Sequence, residues 1–158
     1  MSLSDYQKKR NFSRTPEPRP DKAGKRSPSS GLIYVIQKHK ASHLHYDLRL
    51  EEGEGLLSWA IPKTPPTREG EKKLAVETEV HPLSYAEFEG EIPEGEYGAG
   101  TVEVWDRGTY LAIESTPGKK VIEIQGKKLK GRYALIKIKP REGERDVNWL
   151  FFKLKENK

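Results

Sequence analysis

The sequence contains no cysteine, which excludes disulfide bonds and any metal site built on thiolate ligands. It also lacks an apolar run long enough to cross a membrane and a charged start followed by an apolar stretch, so we expect neither a membrane span nor a secretory leader. Its 158 residues, 34% charged and 34% hydrophobic, suffice for one domain with its own core. We therefore expect a cytoplasmic protein, in which imidazole, carboxylate and water are the available metal ligands.

Positive charge is concentrated at the N-terminus. Residues 1–30 contain eight Lys or Arg and three acidic residues, whereas residues 31–158 contain 21 of each kind. The formal net charge of +5 therefore lies in a basic arm on a neutral body. Such an arm indicates a polyanionic partner, most simply nucleic acid. The alternative is a solubilising tail, and the scarcity of bulky apolar residues disfavours a membrane-surface arm.

The residue pattern divides the chain into an arm, 1–30, and a β-rich body, 31–158. In the arm, the capping-box spacing of Ser4 and Gln7 predicts a short helix over 4–13, and four prolines predict a flexible linker over 14–30. In the body, short segments rich in β-branched and aromatic residues alternate with turns. The predicted strands are 32–38, 43–51, 55–61, 73–79, 101–106, 109–114, 120–125, 131–139 and 147–154, with a helical turn near 85–87. We predict an all-β fold that forms a closed or nearly closed antiparallel barrel.

Three of the four histidines fall in one short stretch of alternating polar and apolar residues. Because side chains two apart share a face of a strand, His45 and Asp47 are predicted to converge on one metal ion, with Arg49 further along that face. His39 ends the preceding apolar run and is placed to close the site, and His43 is either a reserve ligand or a surface residue. Imidazole and carboxylate suit Mn²⁺, Fe²⁺ or Zn²⁺.

Further polar residues lie at strand ends. His81 precedes a proline and is held extended, so it can project into a barrel mouth, with Tyr85 as a hydroxyl donor nearby. The run from Gly95 to Gly100 has the wrong spacing for a dinucleotide fingerprint and predicts a tight loop. A basic rim for phosphate is expected from Arg49, Lys63, Lys72 and Lys73.

Several stretches together resemble one known family. They are Gln37-Lys38-His39, Leu44 to Glu51 with its His45-Tyr46-Asp47-Leu48-Arg49 centre, Ser58-Trp59-Ala60-Ile61-Pro62-Lys63, His81 to Gly90, Ile92 to Val102, and Val104-Trp105-Asp106-Arg107-Gly108. They resemble the 3′-phosphoesterase domain of bacterial ATP-dependent DNA ligase D, which also occurs as a free-standing, notably archaeal, protein. No ligase or polymerase module is found in the sequence, so the free-standing form is expected.

The resemblance implies a β-barrel enzyme that cleans the 3′ end of a primer strand in two steps. A phosphodiesterase step removes a terminal ribonucleoside, and a phosphomonoesterase step removes the remaining 3′-phosphate to leave a 3′-hydroxyl. Mn²⁺ is the implied cofactor, with Co²⁺ or Zn²⁺ as alternatives. The implied metal ligands are His39, His45 and Asp47; Arg49 and His81 would contact the scissile phosphate, with Tyr85 and Lys63 nearby. Primer–template DNA, a DNA ligase and end-joining factors are the implied partners.

The resemblance extends into the arm, over residues 9–18. Arg10 and Glu17 match residues that the family uses in activity, above all in ribonucleoside removal. Asn11 replaces the family's aspartate, and Lys73 stands where an arginine is usual, which removes a bidentate phosphate interaction. Together with Arg14, Asn11 and Lys73 are expected to bind substrate, and their identity leaves the balance of the two steps open.

Two other functions stay open. His45, Asp47 and His81 also match the His-x-Asp…His sequence motif that binds iron in barrel-shaped 2-oxoglutarate oxygenases. An inert nucleic-acid-binding barrel would use the basic arm alone.

Overall fold

The computed structural model describes residues 3–18 and 31–155. Within these residues a short helix precedes nine strands, and a 3₁₀ helix, Leu83–Glu87, follows the fourth strand. The helix is α1 (Leu3–Lys8), and the strands are β1 (Leu32–Lys40), β2 (Leu44–Glu52), β3 (Gly55–Ile61), β4 (Lys72–Pro82), β5 (Gly90–Ile92), β6 (Gly100–Thr116), β7 (Lys119–Gln125), β8 (Lys130–Lys137) and β9 (Asn148–Lys153).

The sheet closes on itself. Its strand order is β1-β2-β3-β4-β9-β8-β7-β6, and β1 pairs antiparallel with β6 to complete an eight-stranded barrel. Strand β5, which the sequence pattern did not predict, adds to β6 beyond that closure. The prediction of a closed antiparallel barrel is confirmed, and closure leaves few unpaired strand edges.

The two strands predicted at 101–106 and 109–114 are one strand, β6. The prediction of a turn at Gly108 was wrong because that glycine serves close packing: a Cβ there would collide with the carbonyl of Gln125 on β7. Long β6 is thereby able to pair with β1 along one part and with β7 along another.

The barrel interior is the main hydrophobic core. Alternate residues of each strand point inward, as period-two patterning requires. Trp59 and Trp149 meet edge to face with ring centroids 5.7 Å apart, and Tyr133 stacks on Phe151 at 5.1 Å. Burial of each such side chain contributes about 1.5–3 kcal/mol to stability.

A second hydrophobic cluster lies outside the barrel, where α1 and the 3₁₀ helix cover the outer faces of β1, β3 and β4. Tyr6 is fully buried there, and its ring lies 5.9 Å from that of Tyr85. The helix ends at Lys8 instead of residue 13 because the chain turns at Asn11, whose side-chain oxygen accepts bonds from the amide and hydroxyl of Ser13.

The described part of the arm, residues 3–18, thus packs on the barrel. The rest of the predicted linker, residues 19–30, lies outside the described residues. Within the parts of the chain that the structure describes, no helix is long and apolar enough to cross a membrane.

Candidate metal centre

The histidine-rich stretch forms the outer face of the β1–β2 hairpin. In the antiparallel register His39 pairs with His45 and Gln37 pairs with Asp47. Because directly opposed side chains share a face, His39, His45 and Asp47 project together on the side of the sheet away from the core. The period-two prediction for this stretch is therefore confirmed.

Both imidazole rings are oriented by backbone carbonyls. His39 Nε2 lies 2.7 Å from the carbonyl oxygen of Gly98, and His45 Nδ1 lies 3.1 Å from that of His43. A carbonyl only accepts, so these nitrogens carry protons, which leaves the opposite nitrogens to present lone pairs to a bound cation. The two lone-pair nitrogens, His39 Nδ1 and His45 Nε2, face each other at 3.2 Å.

Asp47 completes a triangle of donor atoms that fits a cation. Its Oδ2 lies 3.6 Å from His39 Nδ1 and 3.3 Å from His45 Nε2. Donors bound at about 2.1 Å to one metal ion are separated by roughly 3.0–3.5 Å in octahedral or tetrahedral geometry. The group can therefore bind a metal ion, and the carbonyls behind both rings supply the orienting bonds usual around metal-bound histidines.

Without a metal, the surroundings of the group lower the pKa of Asp47 and raise that of His45. Burial opposes ionisation of Asp47, but the Arg49 guanidinium and the two histidine rings beside the carboxylate outweigh it and hold the pKa of this carboxyl well below its usual range. Burial lowers the pKa of His45, yet its bond to Asp47 raises that pKa above the ordinary value on balance. A bound cation would replace that proton, so metal binding and protonation compete here.

Arg49 is fixed in place beside the triangle. Its Nε donates to Gln37 Oε1 at 2.6 Å, its Nη1 donates to Ser58 Oγ at 2.9 Å, and its Nη2 lies 3.5 Å from Asp47 Oδ2. Gln37 in turn donates to the carbonyls of Tyr85 and Phe88. The guanidinium is thus pre-oriented, at little further entropic cost, for a planar anion contact.

His81 lies on the far side of Arg49. Its Nδ1 is 2.9 Å from the Glu79 carbonyl and 3.2 Å from Arg49 Nη1, and its Nε2 is 3.5 Å from Arg10 Nη2. Burial, then the charges of Arg49 and Arg10, hold the pKa of His81 well below its ordinary value. The ring is therefore neutral near pH 7, with Nδ1 donating to the Glu79 carbonyl and Nε2 available as an acceptor.

The N-terminal segment contributes a buried cation to the same site. Arg10, with 4% of its side chain exposed, donates to Glu17 Oε2 at 2.9 Å and to Glu79 Oε1 at 2.8 Å. Tyr85 donates to the same Glu17 oxygen at 2.8 Å, and burial raises its pKa, so the phenol stays protonated. This network joins residues 3–18 to β4 and the 3₁₀ helix.

The three residues of the metal group, with Arg49, His81, Arg10 and Tyr85, border one cavity of about 240 Å³ on the outer face of the barrel. Its walls are formed by Arg10, His39, Ala41, His45, Asp47, Arg49, Ala60, Thr78, Glu79, His81, Tyr85, Ile92, Tyr97 and Gly98. The cavity is open to solvent, and its polar groups are concentrated around Asp47 and Arg49. It can accommodate a phosphate group.

Some predicted site residues lie apart from the cavity walls. Asn11 is exposed and bonded within its own turn, and Arg14 is exposed with its Nε 3.9 Å from Glu96. Lys63 is exposed in the loop after β3, and Lys73 lies 3.9 Å from Glu71. Their predicted substrate contacts stay predictions. Glu17 does not border the cavity itself but reaches it through Arg10 and Tyr85.

The oxygenase ligand set is not brought together. The third ligand beside His45 and Asp47 is His39, whereas His81 faces Arg49 and Arg10. His43 has an exposed side chain and contributes only its carbonyl, so its role as a reserve ligand is not supported.

Sequence reasoning missed several residues that shape the site: Glu79, Ser58, Thr78, Tyr97 and the carbonyl of Gly98. Glu79 carried a usable pattern, because it lies two residues before His81 on β4 and so shares its face. The tight loop predicted over Gly95–Gly100 is confirmed by its turns. The carbonyl that this loop directs at His39 had no pattern in the sequence, since a backbone acceptor is independent of side-chain identity.

Comparisons with known proteins agree on one family. The sequence profile described as "DNA Ligase D 3′-phosphoesterase domain" matches residues 37–137. The chain is 45% identical to the multifunctional non-homologous end joining protein LigD of Pseudomonas aeruginosa, over 98% of this chain and 19% of the relative. It is 44% identical to the multifunctional non-homologous end joining DNA repair protein LigD of Mycobacterium tuberculosis, over 99% of this chain and 20% of the relative. The chain thus spans about a fifth of the length of these relatives.

Proposed function

The chain belongs to the DNA ligase D 3′-phosphoesterase domain family, and from that premise we propose that it is a metal-dependent enzyme that processes 3′ ends of nucleic acid. We propose two hydrolytic steps. The first removes a 3′-terminal ribonucleoside and leaves a 3′-phosphate, and the second removes that phosphate to leave a 3′-hydroxyl. Manganese is the proposed metal, with cobalt or zinc as alternatives.

One observation carries the proposal: Asp47 Oδ2 lies between the two metal-facing histidine nitrogens and the Arg49 guanidinium, within 3.6 Å of all three. A phosphoryl oxygen placed above this carboxylate would meet the cation site and the guanidinium together. Phosphoryl transfer depends on such concentrated positive charge, because its transition state spreads negative charge over the equatorial oxygens.

The proposed roles follow from the contacts. A metal held by His39, His45 and Asp47 would supply Lewis-acid polarisation of the phosphoryl oxygen. Arg49, locked by Gln37 and Ser58, would bind a second phosphoryl oxygen. His81, neutral in the free protein, would gain a proton more easily beside a phosphate dianion, whose charge opposes that of the two arginines.

We assign Arg10, Glu17 and Tyr85 to the ribonucleoside end of the substrate. Arg10 and Tyr85 both border the cavity and share the carboxylate of Glu17. Arg10 and Glu17 of this network come from the N-terminal segment and Tyr85 from the 3₁₀ helix, whereas the metal group comes from β1 and β2. The two steps are therefore expected to depend differently on residues 3–18, with the phosphate-removing step the less dependent.

The proposed substrate is primer–template DNA with a 3′-ribonucleotide or 3′-phosphate end, and the proposed partners are a DNA ligase and end-joining factors. The relatives are named as end-joining proteins, and the basic arm supports a nucleic-acid partner. A cytoplasmic location stays a prediction.

The test is a denaturing-gel assay on a 5′-labelled primer–template. Primers end in a 3′-phosphate or in ribonucleotides, and each is incubated with Mn²⁺ or with EDTA. We expect conversion to a 3′-hydroxyl with Mn²⁺ alone. Absence of processing on both primers at any metal concentration, while the duplex is still bound, would contradict the enzyme and support an inert binding barrel.

A further inference from the structure

Trp105 packs against the barrel core and takes no part in the metal centre. Its ring meets that of Tyr46 edge to face at 5.4 Å, and it is partly exposed. Trp59 and Trp149, by contrast, are 1% and 3% exposed inside the barrel. Trp105 is therefore the tryptophan that presents an aromatic surface to solvent.

The β7–β8 turn, residues 126–129, is held rigidly next to this ring by Asp106. The Asp106 carboxylate accepts bonds from three successive amides, those of Lys127, Lys128 and Leu129, at 2.9 to 3.0 Å. It also accepts the hydroxyl of Tyr34 at 2.9 Å, and it is buried. The turn is thus fixed to the core through its backbone amides.

Three exposed lysines project from this rigid turn and the strand after it: Lys127, Lys128 and Lys130. Lys128 Nζ lies 4.3 Å from the centre of the Trp105 ring. The lysines that form ion pairs within the described residues are Lys9, Lys73, Lys119, Lys120 and Lys137. None of the turn's ammonium groups is neutralised by a carboxylate of the described chain. We refer to Trp105, Lys127, Lys128 and Lys130 as the turn patch.

The turn patch and the metal centre are connected through strand β2. Tyr46, which contacts Trp105 on the core side of that strand, is the residue between His45 and Asp47, whose side chains lie on the outer face. The path from the lysines through Trp105 and Tyr46 to the neighbouring metal group gives an upper limit of roughly 25 Å for their separation. This limit corresponds to about seven nucleotide steps of ~3.4 Å each. A strand whose 3′ end lies in the cavity can therefore reach the patch with its upstream phosphates.

From this geometry we propose that the turn patch binds the duplex backbone a few base pairs upstream of the processed 3′ end. This inference rests on the proposed function, since it names the part of the substrate held outside the cavity. Three lysines without a carboxylate partner in the described chain, two on the turn and one at the start of β8, can neutralise backbone phosphates with little loss of side-chain pairing elsewhere. The partly exposed indole provides a flat apolar surface for the sugar edge.

The test compares two triple variants by fluorescence anisotropy. The patch variant is K127A/K128A/K130A. The matched control is K139A/R141A/R145A, which removes the same charge from the exposed loop after β8, at the other end of a strand of about 25 Å. The probe is a labelled 20-base-pair primer–template with a 3′-hydroxyl, in EDTA, titrated at several KCl concentrations so that binding is read without turnover.

We expect the patch variant to weaken duplex binding at least about ten-fold at low salt and to reduce the slope of log K against log[KCl] by about 2 to 3. The control variant should change both by much less. Duplex should also protect wild-type tryptophan fluorescence from acrylamide, because the quenchable ring is Trp105. The patch variant should lose this protection at the same duplex concentration.

A short substrate separates this proposal from the proposed function. A 3′-phosphorylated trinucleotide has no complementary strand and lacks the duplex that the patch is proposed to bind, so the patch variant should turn it over at the wild-type rate. Absence of turnover by every variant, on the trinucleotide and on the 3′-phosphorylated primer–template, would contradict the phosphoesterase and leave the binding result intact. If both triple variants weaken duplex binding equally, the effect comes from net charge alone and the proposed role of the turn patch is wrong. Unchanged duplex binding by the patch variant would also overturn the proposal.

Discussion

At the scale of single residues, Asp47 joins the two halves of the site. One carboxylate oxygen faces both histidine nitrogens and the Arg49 guanidinium. A neutral side chain there would remove a metal ligand and leave Arg49 with neutral partners alone. Because the residue lies on the outer face of β2, its replacement leaves the barrel core intact.

Asp47→Ala and His45→Ala are expected to reduce Mn²⁺-dependent 3′-phosphate removal by at least about 100-fold, since each removes a metal ligand. Circular dichroism should still report the folded barrel, and Mn²⁺ titration should show weakened binding. His43→Ala is the matched control, because its side chain is exposed and only its carbonyl contacts His45. Wild-type activity in either ligand variant would rule out the metal assignment.

His81 is expected to make the protein acid-sensitive. Its pKa is lowered in the folded state, so below about pH 6.5 the unfolded chain binds a proton that the folded protein does not. The stability is therefore lost as pH falls below the unfolded-state pKa. His45 acts in the opposite direction in the metal-free protein, because its raised pKa adds stability below that same pH.

The measurement is urea unfolding from pH 7 to pH 4.5 in EDTA. His81→Asn should reduce the slope of unfolding free energy against pH by up to about 1.4 kcal/mol per pH unit. Identical slopes in the variant and the wild type would contradict a neutral, buried His81.

At the scale of elements, strand β6 both closes the barrel and holds the neighbouring β7–β8 turn in place. It closes the barrel against β1 and pairs with β7. Its Asp106 also fixes the β7–β8 turn through three amides. Asp106 belongs to the Val104–Gly108 stretch, which carried part of the family resemblance. Its role is structural, because it is a buried hydrogen-bond acceptor outside the cavity.

Asp106→Ala should destabilise the barrel by about 3 kcal/mol or more, because three amides and the Tyr34 hydroxyl lose their acceptor in a buried site. Chemical denaturation gives the free energy, and amide hydrogen exchange should accelerate at residues 127–129. Glu103→Ala, an exposed change on the same strand, should cost far less. A variant as stable as the wild type would show that other groups satisfy these amides.

The strands also show which parts of the fold and the site could be predicted from the sequence. Alternation located β1 to β4 and put His45, Asp47 and Arg49 on one face, because a strand fixes the direction of each side chain locally. Pairing partners are not encoded locally. The contribution of Glu79, the covering of His81 by Tyr6, and the carbonyl of Gly98 all depend on which segments meet in space. The nature of the metal depends on ligands and availability that side-chain spacing alone does not define.

At the scale of the whole molecule, the core and the chemistry occupy opposite sides of one sheet. The barrel interior is filled by aromatic and aliphatic side chains, and the cavity lies outside, under residues 3–18. Residues 1–30 contain the whole formal net charge of +5. Binding of a polyanion should therefore depend strongly on salt.

Replacing Arg19, Lys22, Lys25 and Arg26 by serine tests the arm without altering Arg10 or Glu17. Each phosphate that is no longer neutralised should reduce the slope of log K against log[KCl] by about 0.9, so a reduction of up to about 4 is expected. Anisotropy titrations of a primer–template supply the slopes. If the slope is unchanged, the arm is a solubilising tail.

Residues 3–18 form one wall of the cavity and are joined to the barrel by the chain itself, so they resemble a ligand that is covalently attached to its receptor. A tether of modest length holds its ligand at an effective concentration of order millimolar. A barrel of residues 31–158 should then remove 3′-phosphates but process ribonucleotide ends poorly, until a synthetic peptide of residues 3–18 is added at roughly millimolar concentration. The same peptide with Tyr6→Ala, which lacks the buried ring, should fail to complement. The ribonucleoside step would thus be separable from the barrel and restored in trans.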